Sequence, residues 1–389
     1  MPRILIDITR LLNRRQGGRL PTGIDRVGLE YIRHYANSAR AVLSLGSFSA
    51  VLSRADSALA FSMLLDSQAN AAPVKRRLIL KACLWGWMNM DVADCYLFNT
   101  GHTGLENKGY AALLRRWGAR PIFVVHDLIP VTHPEYCRPG ERVRHLARMR
   151  NAITMGCGII AISHNMLDAL RTLSNEAGLR LPPTVVAPNA PGLPPPAPGP
   201  RPIKGPYFVV LGTIEPRKNH WLLLQLWRRL VERLGEAAPR LVIIGQRGWE
   251  CENVVDLLER CEQLRGFVFE KNHCSDEELV TYLHHAQALL FPSFVEGYGL
   301  PMSEALSLGV PVIASDLPVF REIAGAVPEY ADPLDGRRWM ELIGDYAEVH
   351  SVRRMAQLER MADFRGTTWA QHLNTVDEFL KQLSDRPAA

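Results

Sequence analysis

The sequence of 389 residues has few cysteines, and their arrangement does not indicate a disulfide framework or a metal site. The seven cysteines are scattered, no two form a Cys-x-x-Cys pair, and their number is odd. Disulfide-stabilised secreted domains are small and carry dense, paired cysteines. The cysteine usage therefore favours a reducing cytoplasm.

The sequence also lacks long apolar runs and a strong charge of either sign. No apolar run approaches the ~20 residues of a membrane-spanning helix. The first 15 residues have only a short apolar run, interrupted by Asp7, and no small-residue cleavage site follows, so we expect no signal peptide. The net charge of +5 could favour an anionic substrate or an anionic membrane surface, but it does not by itself indicate nucleic acid. We expect a soluble or peripheral protein.

A chain of this length favours two domains, and a change in composition places the boundary. Residues 190–206 read APGLPPPAPGPRPIKGP, which cannot form a helix or an interior strand and acts as a semi-rigid spacer. We predict a Rossmann-like domain at 1–189, a second at 207–365, and a C-terminal helix at 366–389. Whether that helix packs back on the first domain is left open.

The first half alternates short apolar runs with helical patterns, which indicates a parallel sheet covered by helices. A glycine-rich loop at 17–26 leads into a helix, an arrangement that can bind phosphate, although a flexible connector is the more probable interpretation of the loop alone. The strand Pro121–Val125 ends at His126 and Asp127, where open α/β sheets bind their ligands. Alone, His126 is more simply explained as an interior histidine.

Two further segments are basic. The segment 74–90 reads VKRRLILKACLWGWMNM and combines cations with tryptophans, which suits binding to an anionic bilayer. A helix buried in the core explains the same pattern equally well. Arginines at 142, 144, 148 and 150 lie on a second helix, for which a solvated face is the favoured interpretation.

The second half contains the most informative stretch, FPSFVEGYGLPMSEALSLGVPVIAS at 291–315. Its pattern predicts a strand, a glycine loop, a helix and a second strand. Amide groups at a helix start suit a phosphate, and Glu296 and Glu304, eight positions apart, suit hydroxyl groups. The pattern therefore indicates a ligand that carries phosphates and sugars.

Four motifs together resemble one family. They are EGYGLPMSE at 296–304, GTIEPRKN at 212–219, SDEEL at 275–279 and VVHDLIPVTHPEY at 124–136. They are similar to motifs of the family-4 retaining glycosyltransferases. The resemblance implies an α/β GT-B fold, in which two Rossmann-like domains have parallel sheets facing each other across a cleft. It also implies a cytoplasmic enzyme of bacterial surface-polysaccharide synthesis that uses a nucleotide-sugar and a glycan or lipid-linked acceptor.

By this resemblance, Arg217 and Lys218 neutralise the donor diphosphate and Glu304 binds the ribose hydroxyls. Glu296 binds hydroxyls of the transferred sugar, with a covalent nucleophile as the less favoured alternative. His126 contacts the donor sugar from the N-terminal side. The remaining positions assigned to substrate are Gly18, Gly23, Asp127, Gly212, Thr213, Gly297, Tyr298, Gly299 and Leu300.

The resemblance implies no metal and no cofactor other than the nucleotide-sugar co-substrate, and the chain has no Asp-x-Asp triad. Many members carry an arginine where this chain has Gly212-Thr213, which shifts the expected phosphate contacts to Arg217, Lys218 and the helix termini. Similarity to mannosyltransferases favours GDP-mannose weakly over a UDP-sugar. An epimerase or a phosphorylase on the same fold is the alternative enzyme class, and a nucleic-acid module is disfavoured because acids are interleaved with the basic residues.

Overall fold

The structure is a computed structural model of the full chain. It describes residues 3–17, 21–45, 48–66, 78, 92–194 and 197–385. Gly18, assigned above to phosphate, and the segment 74–90 apart from Leu78, assigned above to membrane or core, lie outside the described residues.

The chain divides into two compact units. Unit 1 comprises Met1–Thr132, Gly140–Asn189 and Trp369–Ala389, and unit 2 comprises His133–Pro139 and Ala190–Thr368. Residues 133–139 thus group with unit 2, although the sequence pattern assigned them to the first domain.

Unit 1 contains a sheet of seven strands within its described residues. The strands are β1 (Ile4–Asp7), β2 (Arg40–Leu45), β3 (Phe48–Val51), β4 (Tyr96–Asn99), β5 (Arg120–Val125), β6 (Gly158–Ala161) and β7 (Thr184–Val186). Their order is β3-β2-β1-β4-β5-β6-β7, and only β3 pairs antiparallel. Four of these strands (β1, β4, β5 and β6) are buried almost throughout, as expected for parallel strands covered on both faces.

Helices connect these strands. They are α1 (Thr9–Gln16), α2 (Gly23–Tyr35), α3 (Arg54–Leu65), α4 (Lys108–Trp117), α5 (Ile129–Thr132), α6 (Glu141–Met155) and α7 (His164–Glu176), followed much later by α15 (Trp369–Ser384). The sequence pattern did not identify α1, which directly precedes the glycine-rich loop. It also missed β3, whose antiparallel pairing lies outside the strand-helix alternation.

The C-terminal helix α15 packs within unit 1. The Tyr31 hydroxyl and His372 Nε2 lie 3.0 Å apart, and His372 is fully buried. Phe379 lies so close to β6 that a Cβ added at Gly158 would be 2.8 Å from its ring. These contacts bring α15 into the fold of a unit that is otherwise built from the first 189 residues.

Unit 2 contains a six-stranded parallel sheet. Its strands are β8 (Tyr207–Leu211), β9 (Arg240–Ile244), β10 (Val268–Lys271), β11 (Leu289–Phe291), β12 (Val312–Ser315) and β13 (Glu329–Ala331), in the order β10-β9-β8-β11-β12-β13. Its helices are α8 (His220–Leu234), α9 (Glu252–Arg260), α10 (Asp276–His284), α11 (Leu300–Ser307), α12 (Pro318–Ala324), α13 (Gly336–Ala347) and α14 (Val352–Ala362).

Both faces of this sheet are covered. Phe208 packs on one face in a cluster with the buried Trp227 and Trp339. Its neighbour Val209 points to the other face, in a cluster with Met302. Because successive strand residues face opposite sides, an almost continuous apolar strand requires helices on both faces. The predicted strand, loop, helix and strand at 291–315 are all present, as β11, the loop, α11 and β12.

Within the described part of the chain, no helix combines the length and the apolar character that crossing a membrane requires.

Candidate functional site

Two loops of unit 2 meet at the carboxyl ends of adjacent strands. β8 and β11 are paired in the sheet, so the segments that follow them emerge side by side. The backbone N–H of Phe294, after β11, donates to the carbonyl oxygen of Arg217, after β8, at 2.8 Å. The candidate site is therefore built from two segments about 80 residues apart in sequence, as the Lys218–Glu296 separation of 78 shows.

The first of these segments turns tightly before α8. Pro216–Lys218 forms a 3-10 turn, and Asn219 adopts the left-handed conformation with a φ of 55° before the helix starts at His220. Gly212 has a φ of 142°, and a Cβ there would lie 3.2 Å from Lys218 Cε. Glycine at 212 thus lets the lysine side chain lie directly against the backbone.

The second segment leads into α11. Gly299 has a φ of 121°, and a Cβ at this position would lie 2.8 Å from the Phe320 ring. α11 then starts at Leu300, with Pro301 in its first turn. Proline is tolerated at this place because its missing N–H would have no helical partner.

The centre of the site is an ion cluster around Glu296. Lys218 Nζ donates to Glu296 Oε1 at 2.6 Å, and Arg217 Nη1 lies 2.8 Å from Glu296 Oε2. The Ser293 hydroxyl also donates to Oε1, at 2.8 Å. The side chains of Lys218 and Glu296 are each only 8% exposed, so this contact is largely withdrawn from water.

Arg217 is shared between two acids. Its Nη2 lies 2.5 Å from Glu215 Oε1, while Nη1 also donates to the Val295 carbonyl at 3.3 Å. Two cations and two carboxyl groups thus occupy one buried cluster, which we call the Arg217 cluster: Glu215, Arg217, Lys218 and Glu296.

The cluster perturbs the acidities of its members in opposite directions. Burial alone would raise the pKa of Glu296, but the charges of Arg217 and Lys218 outweigh it and lower that pKa to about 2. Burial lowers the pKa of Lys218, against the opposing effect of Glu296. Burial also raises the pKa of Glu215, despite its contact with Arg217. The cluster therefore strongly favours the ionised form of Glu296.

The other predicted site residues of unit 2 lie in or next to the same two segments. Gly297 and Tyr298 are buried, and burial raises the pKa of Tyr298, whose hydroxyl has a side-chain hydrogen bond with Thr367. Glu304 is buried in α11, and its carbonyl oxygen accepts from the Ser307 hydroxyl at 2.8 Å. Thr213 follows Gly212 in the loop after β8, and Leu300 is half-buried.

The predicted residues of unit 1 lie at the carboxyl edge of its own sheet. His126 is buried, its Nε2 lies 2.7 Å from the Thr100 carbonyl oxygen, and burial lowers its pKa. Asp127 Oδ1 accepts from the Ile129 N–H at 3.2 Å, which places it at the start of α5. Gly23 is the first residue of α2, directly after the capping residue Thr22.

His126 is one of three neighbouring buried histidines, with ring centroids 5.5 Å from His126 to His102 and 5.7 Å from His102 to His145. His102 and His145 lie close to backbone carbonyls, those of Val124 and Asp127. No cluster of three or more histidine, cysteine or acidic side chains in the part of the chain that the structure describes could hold a metal ion.

Sequence reasoning missed Glu215 and Ser293 as members of the site. Glu215 lies inside the motif GTIEPRKN, and Ser293 lies in the stretch 291–315 singled out above, so their positions carried a signal. Their role depends on contacts across the two loops, which a motif does not specify.

This geometry fits the outcome of comparisons with known proteins. Residues 197–327 match the family model for glycosyl transferases group 1. The matched residues include the whole Arg217 cluster.

Relatives in sequence include mannosyltransferases of Escherichia coli. The chain is 29% identical to O-antigen chain mannosyltransferase B of Escherichia coli, over 64% of this chain and 67% of that protein. It is 30% identical to the serotype-specific mannosyltransferase WbdA of Escherichia coli, over 69% of this chain but only 34% of that protein. The chain is homologous to these proteins, and it spans about a third of the length of WbdA.

Solved structures extend the similarity to the whole fold. The structure of HepE from Anabaena in complex with UDP-glucose matches this chain with a TM-score of 0.68 and 14% sequence identity. The match covers 99% of this chain and 100% of the HepE chain. Sucrose-phosphate synthase from Thermosynechococcus elongatus has a TM-score of 0.64 with 14% identity, over 98% of each chain. The two α/β domains with parallel sheets thus form a GT-B glycosyltransferase fold, as the resemblance implied.

Proposed function

We propose that the protein is a retaining glycosyltransferase that moves a hexose from a nucleotide-sugar, GDP-mannose being favoured, to a glycan or lipid-linked acceptor in bacterial surface-polysaccharide synthesis. The Arg217 cluster is the observation that carries this proposal, because it places two cations beside an ionised carboxylate at the loop ends of a parallel sheet. The names of the mannosyltransferase relatives favour mannose as the transferred sugar.

Arg217 and Lys218 would bind the donor diphosphate. Negative charge grows on the diphosphate as the glycosidic bond breaks, and fixed cations stabilise that charge without rearranging. Both cations contact Glu296. A guanidinium has five N–H donors and an ammonium has three, so phosphate oxygens can add to the same groups.

The carboxylates and the start of α11 would hold the sugars. Ionised Glu296 accepts hydrogen bonds only, which suits hydroxyls of the transferred hexose. Glu304 would bind the ribose hydroxyls. Backbone amides of residues 297–300, at the start of α11, would contact the phosphates and the sugar.

Residues of unit 1 would complete the donor site. Burial lowers the pKa of His126 and so favours its neutral form, which would contact the sugar through a hydrogen bond rather than a charge. Asp127 and the glycines at 18 and 23 keep the donor-contacting roles that the family resemblance implies.

The reaction would need no metal ion, because Arg217 and Lys218 supply the positive charge at the diphosphate. It would take place in the cytoplasm or at the inner face of the plasma membrane, where a lipid-linked acceptor is presented. Transfer that continues unchanged in excess EDTA supports this part of the proposal, and loss of transfer that Mg²⁺ or Mn²⁺ restores would contradict it.

The first experiment is a thermal-shift panel with GDP, UDP, dTDP and their sugars, since a ligand that binds only the folded state raises its stability. GDP and GDP-mannose should give the largest shifts. A larger shift with UDP or dTDP ligands would overturn the donor assignment, and conversion of the donor without acceptor would indicate an epimerase.

The second experiment tests the cluster. Lys218→Ala and Glu296→Ala should each lower transfer to a polysaccharide acceptor by at least about 100-fold, a typical loss for a group that stabilises developing charge. Lys271→Ala and Glu341→Ala are matched controls on exposed parts of unit 2 and should leave transfer unchanged. Full activity in both cluster variants would refute the proposed function.

A further inference from the structure

The segment His133–Pro139, which we call the clasp, contacts two loops of unit 2, the loop after β11 through Phe294 and the loop after β9 through Trp249. It belongs by sequence to the first half of the chain, yet it groups with unit 2. It contains the short 3-10 turn Pro134–Tyr136. None of its residues was assigned a role from the motifs.

Tyr136 is held in a ladder of three rings. Its ring is parallel to that of Phe294, with an angle of 4° and 5.6 Å between centroids. His133 stacks on Tyr136 as well, at 6.1 Å and 13°. Offset stacking of this kind is the favoured geometry for aromatic pairs.

The clasp is also attached to the loop after β9. Trp249 Nε1 donates to the Tyr136 carbonyl oxygen at 3.1 Å, and the Arg138 guanidinium lies 5.2 Å from the centroid of the Trp249 ring. That loop in turn packs tightly on the loop after β8: a Cβ at Gly248 would lie 2.7 Å from the Ile214 carbonyl oxygen. One tyrosine thus connects two loops of the sheet edge.

These contacts lead directly to the Arg217 cluster. Phe294, the stacking partner of Tyr136, donates its N–H to the Arg217 carbonyl at 2.8 Å. Glu296 follows two residues later and holds both Arg217 and Lys218. A change in the position of Phe294 therefore reaches Arg217 through one backbone hydrogen bond, and it reaches Glu296 through two residues of chain.

We propose that Tyr136 is a positioning residue for donor binding, which fixes Phe294 through ring stacking and Trp249 through its carbonyl and so orients Glu296 and Arg217. This inference rests on the proposed function, since it assigns the cluster to the donor. Tyr136 acts through Phe294 and needs no contact with the reacting atoms.

Activity and binding test the inference with a series of variants. Tyr136→Ala removes the stack and should raise the donor KM and the Kd for GDP about 2- to 13-fold, the equivalent of an aromatic pair. Tyr136→Phe keeps the ring and should restore wild-type values. Trp249→Phe keeps an aromatic ring near Arg138 but removes the indole N–H that donates to the Tyr136 carbonyl oxygen. This variant should raise the donor KM and the Kd for GDP by a smaller factor. Tyr330→Ala, at a tyrosine that pairs with Arg321 elsewhere in unit 2, is the control and should change neither constant.

Hydrogen exchange supplies a readout that needs no ligand. Loss of the stack should increase exchange of the Phe294 amide in Tyr136→Ala, and not in Tyr136→Phe. If Tyr136→Ala does not fold, Trp249→Phe tests the same connection. Wild-type KM, Kd and Phe294 exchange in a folded Tyr136→Ala variant would overturn the inference alone. Failure of the wild type to bind any nucleotide-sugar would instead refute the proposed function, and the exchange comparison would still decide whether Tyr136 positions the loop.

Discussion

Replacing Glu296 by glutamine should destabilise the protein in a way that depends on pH. Glutamine keeps the size of the side chain but removes the charge that pairs with Lys218 and Arg217. Both partners then remain in the cluster with less compensation, and an uncompensated buried charge is costly.

The magnitude follows from the pKa of Glu296, which the cluster lowers from 4.5 to about 2. A shift of about 2.5 units corresponds to about 3 kcal/mol of stability, at 1.36 kcal/mol per unit. Because the folded-state pKa lies below the unfolded one, this stabilisation is complete above pH 4.5 and is lost as the pH falls towards 2. About two fifths of it should remain at pH 3.

Denaturant unfolding of the wild type and of Glu296→Gln at pH 7 and pH 3 measures this contribution. Their difference in the free energy of unfolding should shrink by about 2 kcal/mol between the two pH values, as linkage requires. A difference that is independent of pH would refute the reasoning.

Glu215→Gln is the matched control from the same cluster. Burial raises the pKa of Glu215, so its ionised form is disfavoured in the folded protein. Glutamine at 215 should therefore leave the stability at pH 7 unchanged or increase it. Equal destabilisation by both substitutions would mean that the cluster responds to volume or hydrogen bonding rather than to the charge of Glu296.

Three further substitutions have defined outcomes. Burial raises the pKa of Asp7 from 3.8 to about 6, so the wild type loses stability as the pH rises and Asp7 becomes ionised. Asp7→Asn should therefore gain up to about 3 kcal/mol of stability over the wild type between pH 4 and pH 7. Denaturant unfolding at both pH values measures this gain. Gly212→Ala should lower the thermal midpoint and weaken GDP binding in a thermal-shift assay, because its Cβ would press on Lys218 at a φ of 142°. Gly158→Ala should cost about 1–3 kcal/mol in denaturant unfolding, because its Cβ would lie 2.8 Å from the Phe379 ring of α15.

Gly344→Ala is the control for both glycine variants, since a Cβ at 344 would meet no atom within 4 Å. A loss of stability in this control equal to that of Gly158→Ala would contradict the packing explanation. A gain for Asp7→Asn that does not change with pH would show that its cause is not the ionisation of Asp7.

Local features of the fold were predictable because they depend on short stretches of sequence. The proline-rich segment indicated a domain boundary, and the unit division falls at Asn189 and Ala190. The glycine loop and the proline before Glu304 predicted β11, α11 and β12. The motif GTIEPRKN indicated a site around Arg217 and Lys218 because such motifs keep the same order in related chains.

Contacts between distant segments were not predictable in the same way. The pairing of Lys218 with Glu296 spans 78 residues, and it exists because β8 and β11 are neighbours in the sheet. The sequence alone predicted a sugar contact for Glu296 and a phosphate contact for Lys218, and gave no indication that the two side chains bind each other.

The sequence by itself therefore determined the strand-helix alternation, the two-domain plan and the residue types of the site, since periodicity, proline content and short motifs are local properties. Only the tertiary structure decided which of these residues meet. Sheet order brought the Arg217 cluster together, and the packing of the clasp within unit 2 brought Tyr136 against Phe294. The charges of Arg217 and Lys218 then outweigh the effect of burial and keep Glu296 ionised, since the pKa of a buried acid depends on the charges packed around it.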